Sequence, residues 1–196
     1  MAGCRAEPHG VKRDEFYSSF ERGFAPGAAG ADLVRSRGSA LKWTHRDADR
    51  QTLTFGFRLN RKNLPDYPGE FMPEIFWSGP RAGPRDTGEV SFYQYALPQE
   101  AGAVASLQKR VIEKFIVEMQ LEAQLEQPGS LVRTLADTCD LEIRPNHDRW
   151  LPYWNAEDAT AWGSLFGASM RGWVSRFLAS PETREAWCWR VLWSKS

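Results

Sequence analysis

Two carboxylates with seven residues between them, Asp66 in Pro65-Asp66 and Glu74 in Glu74-Ile75-Phe76, are the sequence's nearest approach to a catalytic signature. In metal-dependent nucleases such a pair holds Mg²⁺, and a lysine two positions after the second acid steadies the charge of the transition state. Phe76 stands at the lysine position here. Asp140-Leu141-Glu142-Ile143-Arg144 matches the pattern equally loosely. The three histidines, His9, His45 and His147, are far apart in the chain, and none of the HExxH, GxSxG, P-loop or GxGxxG patterns occurs. His45 is expected at the edge of a core rather than in a site. Cys188, between Trp187 and Trp189, reads as a small buried hydrophobe. No metal or other cofactor is expected, and an enzyme using Asp66 and Glu74 stands as the alternative reading.

Binding chemistry is better represented. Glu118, Glu122 and Glu126 recur at four-residue spacing, which on one helix aligns them as an acidic side. They belong to a segment, 113–158, with ten acidic residues against four basic ones, whereas 35–62 carries eight basic residues against two acidic. Ala186–Trp193 is apolar all round a helix and contains Trp189, Arg190 and Trp193. Tryptophan and arginine are the types most enriched at interface hot spots. These residues together predict a non-enzymatic protein-binding domain that meets a basic partner through Glu118, Glu122 and Glu126, with Trp189, Arg190 and Trp193 adding apolar anchoring. A structural homodimer built on the C-terminal aromatics is a third reading.

The whole chain of 196 residues balances 25 Lys+Arg against 25 Asp+Glu. Duplex DNA and anionic membranes usually demand a basic excess, so neither they nor nucleic acid in general is the expected partner. The longest apolar runs fall short of a membrane span. The three cysteines, Cys4, Cys139 and Cys188, are widely spaced without a CxxC, as expected in a reducing compartment. The first residues lack the apolar run of a secretory signal. A cytoplasmic protein is the expectation.

The elements that must position these groups follow from periodicity. Phe16, Phe20 and Phe24 form one stripe of a short amphipathic helix over 12–24, which Ala25–Ala31 is expected to break into a loop. Leu41-Lys42-Trp43-Thr44-His45 and the alternating Thr52–Leu59 predict a hairpin. A turn centred on Ala48 would set Trp43 opposite Leu53 and Leu41 opposite Phe55. Met72–Trp77 reads as a third strand, with Pro73 at its start or at a sheet edge, and Val90–Leu97 as a fourth. From about Glu100 the period becomes 3.6, predicting a helix to Gln127-Pro128-Gly129-Ser130. A short helix follows at about 131–137. Asn155 then caps a helix to about Leu178, with Asp158 at its third position, and Ser180-Pro181 opens a last one. The expected fold is α+β, an antiparallel meander of about four strands with an N-terminal helix and three or more C-terminal helices packed on it. Residues 12–127 form its core domain and 128–196 a Trp-rich helical extension packed on that core.

The opening helix, Arg37-Gly38-Ser39-Ala40-Leu41-Lys42-Trp43, the strand Leu53–Leu59 and Phe76-Trp77 together resemble a family of small bacterial proteins of unknown function. In that family an N-terminal helix with a Gly-Phe-type junction precedes a meander. The resemblance covers residues 12–125. It implies a binding role in immunity or defence, neutralising a toxin or effector.

Overall fold

The computed structural model describes residues 11–38, 41–47, 51–60, 67–79, 87–138 and 149–180. Helix α1 (Arg13–Gly30) buries Phe16, Phe20, Phe24 and Ala28 along one side. It does not stop at Ala25–Ala31, where a loop was expected. Pro26 lies on the exposed side, so the carbonyl it leaves without a donor can turn to water. Interior proline still costs about 3 kcal/mol, and packing against a second helix, described below, offsets that cost. The helix ends in a Schellman turn: Leu33 N–H donates to the Ala28 carbonyl at 2.9 Å, Asp32 N–H to that of Ala29 at 3.2 Å, and Asp32 takes φ 54°.

The sheet runs β1 (Val34–Arg35), β2 (Leu41–Arg46), β3 (Thr52–Leu59), β4 (Gly69–Ser78) and β5 (Thr87–Val90) in spatial order. A sixth strand, β6 (Leu151–Tyr153), pairs with the start of β4 on the flank opposite β3, the flank that β5 also uses. All pairings are antiparallel. Among the described residues the meander thus has six strands, two of them, β1 and β6, with only two and three residues, too few for alternation to show. The hairpin register also differs from expectation. Trp43 faces Phe55 and Leu41 faces Phe57, two residues further along. Asp47 sets this closure, donating its N–H to the Gln51 carbonyl at 3.1 Å and accepting Gln51 N–H on its carboxylate at 2.8 Å. Because the shift is two residues, the same side chains still face the core.

Pro73 is neither at a strand start nor on an edge strand. Asn60 N–H bonds to the Glu70 carbonyl, which makes the Phe57–Pro73 pair a non-hydrogen-bonded one, with the Pro73 nitrogen directed away from β3. On that flank β6 pairs with residues 69–71 and β5 with 75–78. Proline occupies the gap between them, where no ladder bond is lost.

The expected fourth strand, Val90–Leu97, is strand only at its first residue. Ser91 Oγ accepts Tyr93 N–H and turns Phe92–Gln94 into a 3-10 helix, which sends Phe92, Tyr93 and Tyr95 into the core. Helix α2 (Pro98–Glu118) begins with proline at its first position, and the Glu100 carboxylate accepts Leu97 N–H at 2.7 Å. It ends nine residues before Gln127. Leu121 N–H donates to the Ile116 carbonyl and Gln120 N–H to that of Val117, a second Schellman turn, with Gln120 at φ 55°. Short helices α3 (Glu122–Leu125) and α4 (Leu131–Asp137) follow, the latter capped by Ser130 Oγ.

Helix α5 (Ala156–Leu178) starts as expected: Asn155 Oδ1 accepts Asp158 N–H at 3.0 Å, and the Asp158 carboxylate accepts Asn155 N–H at 3.1 Å. It runs parallel to α1 at very close approach, because Gly27 of α1 meets Gly167 of α5, Gly23 lies on the backbone of Thr160 and Ser164, and Gly163 lies on that of Phe20 and Phe24. The two helices cover one face of the sheet. Phe20 lies 4.4 Å from Phe57 and Phe24 4.5 Å from Trp43, ring centre to ring centre, while Trp173 meets Phe55 at 5.2 Å and donates its indole N–H to the Phe92 carbonyl at 2.7 Å. One buried cluster extends from Phe16 to Phe177. The chain therefore has the α+β architecture expected of it, with helices on one face and the other face open among the described residues.

Candidate functional site

The acidic side predicted from 118, 122 and 126 is not one helical stripe. Glu118 is the last residue of α2, the Schellman turn at Gln120 redirects the chain, Glu122 opens α3, and Glu126 caps it. All three are exposed. Glu118 accepts the indole N–H of Trp154 at 2.5 Å; Glu122 and Glu126 have no ion pair among the described residues. The two cations in 113–138 are already compensated, Lys114 by Asp158 at 3.4 Å and Glu157 at 3.6 Å, and Arg133 by Asp137 at 3.9 Å. The surface of this segment is consequently negative. It is also apolar in places, since Val117 is 63% and Leu131 50% exposed, two of the four exposed large hydrophobics among the described residues.

The other predicted groups separate. Trp189, Arg190 and Trp193, with Cys188 and the last helix, lie outside the described residues, as do Cys4, Cys139, His9, His147, Asp66, Asp140 and Glu142. Glu74 is described and engaged: Arg58 Nε lies 2.7 Å from its Oε1 on the open face of the sheet. His45 faces Leu53 across the hairpin, half-buried, and its Nδ1 is shielded without a hydrogen-bond partner among the described residues.

The open sheet face is the surface that the residue patterns did not single out. Lys42 and Arg46 on β2, Arg58 on β3, Met72, Glu74 and Phe76 on β4 all project there, because they alternate with the buried residues of each strand. The Arg58 guanidinium sits 5.3 Å from the centre of the Trp150 ring, so it is held between an indole and the Glu74 carboxylate. Thr52–Leu59 alternation already implied an outward row at 52, 54, 56 and 58. Nothing local to Trp150 implied that β6 would bring it alongside.

A shallow cleft of about 470 Å³ follows the α1–α5 pair, lined by Ser19, Arg22, Glu157, Thr160 and Ser164 among others. Its charged members are Arg22 and Glu157, and Glu157 already faces Lys114. Among the described residues no three His, Cys, Asp or Glu side chains converge as a metal site would require, and no helix is long and apolar enough to cross a membrane. No family model, no curated protein and no solved structure matches the chain.

Proposed function

We propose that this chain is a non-catalytic protein-binding domain that holds a basic partner protein, of the toxin or effector class, against the acidic surface of α2–α4. The observation that supports this reading is the company kept within residues 117–131, where exposed Val117 and Leu131 accompany the carboxylates of Glu118, Glu122 and Glu126. Exposed apolar side chains supply contact area whose burial is favourable by about 25 cal/mol per Å². Uncompensated carboxylates steer a cationic partner into register and accelerate encounter. A cytoplasmic setting suits three cysteines with no paired spacing. The test is affinity capture with the tagged chain at low and high salt, run beside Glu122→Lys/Glu126→Lys. The expected result is one basic protein in stoichiometric amount, released by salt and absent from the double variant. Recovery of the same protein by both forms would move the contact elsewhere, and recovery of the chain with itself alone would replace this reading by self-association.

A further inference from the structure

The open sheet face has the opposite electrostatic character along β2. Among the described residues six ionisable side chains of the strands reach it: Lys42, Arg46 and Arg58 against Glu70, Glu74 and Glu89. Glu74 is taken by Arg58 at 2.7 Å and Glu70 accepts Asn60 Nδ2 at 2.7 Å. Glu89 lies on β5, three strand spacings from β2, or about 14 Å. Lys42 and Arg46 are exposed and make no ion pair among the described residues, so the β2 side of the face is left cationic. Across β3 from it, β4 adds apolar groups on either side of Glu74: Phe76 is 40% exposed, and Met72, with Trp150 near Arg58, is half-buried. Arg58 is already immobilised between Glu74 and Trp150, which lowers the side-chain entropy lost when a partner lands on it. Aromatic residues, methionine and arginine are the types that enrich interface centres.

A polyphosphate strand would have to cross Glu70, Glu74 and Glu89, whereas a polypeptide can place carboxylates and apolar groups separately. We infer that this face docks an acidic polypeptide segment, its carboxylates on Lys42 and Arg46 and an aromatic or aliphatic side chain against Phe76 and Met72. The inference is independent of the α2–α4 reading, because the two surfaces take partners of opposite charge.

The test titrates the ¹⁵N-labelled full chain with a soluble Glu–Tyr copolymer, and separately with a Lys–Tyr copolymer and with oligo(dT). The expected result is saturable amide shifts from the Glu–Tyr copolymer confined to residues 42–46, 54–58 and 72–76. Affinity should fall by about tenfold or more in Lys42→Glu/Arg46→Glu and again in Phe76→Ser, with both variants keeping the wild-type spectrum elsewhere. Absence of shifts on this face, equal shifts from the Lys–Tyr copolymer, or tighter binding of oligo(dT) at the same amides would each overturn it.

Discussion

A Cβ placed on Gly27 would lie 2.1 Å from the carbonyl oxygen of Gly167, and one on Gly163 would lie 2.1 Å from that of Phe20. The four glycines at the α1–α5 crossing stand four apart on each helix, Gly23 and Gly27 against Gly163 and Gly167. Small residues at this spacing let two backbones approach as closely as side chains would otherwise forbid. The obstructing atoms are main chain, so they cannot swing aside. Gly27→Ala is expected to lower stability by about 1–3 kcal/mol despite alanine's better helix propensity. Gly102→Ala, in α2 with nothing within 4 Å of the added carbon, is expected to raise it by up to about 1 kcal/mol. Urea unfolding of the two variants decides it, and equal effects would contradict the close crossing.

Gln120 holds a left-handed conformation that glycine adopts without steric cost. Gln120→Gly should therefore stabilise by about 0.5–1 kcal/mol, and Gln120→Val should destabilise by a similar or larger amount. Thermal melts give the sign directly. If both variants lowered the midpoint alike, α2 would not end at this turn.

Asp158 is 4% exposed, and its carboxylate accepts the N–H groups of Trp154 at 2.9 Å and Asn155 at 3.1 Å while facing Lys114 at 3.4 Å. Asp158→Ala strands these donors at the start of α5 and is expected to cost about 2–3 kcal/mol. Asn155→Ala, which loses a single cap bond, should cost about 1 kcal/mol. Chemical denaturation that ranked the two in the reverse order would sink this account of the helix start.

Glu122 and Glu126 are exposed and unpaired among the described residues, so reversing both charges should leave stability within about 0.5 kcal/mol of wild type. The same change is expected to abolish partner capture. A variant that lost both stability and capture would show that these carboxylates serve the fold.

Much of the architecture was legible from periodicity because α1, β3 and α5 each bury one uninterrupted face, and Asn155 with Asp158 marks a helix start through side-chain chemistry local to the sequence. Where structure and periodicity differ, the cause is a partner distant in sequence. Pro26 inside α1 is tolerated only because α5, more than a hundred residues later, packs on Gly23 and Gly27. Pro73 is harmless only because β5 and β6 divide one flank of β4 between them. Gln120 carries no composition cue for a left-handed turn, so periodicity alone extends the helix to Gln127 and aligns its glutamates on one side. Local patterns report burial well and report the partner that provides it poorly. The outward row of β3 was implied by alternation, but the meeting of Arg58 with Trp150 depends on β6, three residues long.

A basic protein held against residues 117–131, as proposed, would shield their amides, and hydrogen exchange on the captured complex, compared with the free chain, reads that shielding. Exchange should slow over the end of α2, α3 and the start of α4, with the α1–α5 crossing unchanged. Protection confined to other segments, or a pattern identical to that of the free chain, would contradict it.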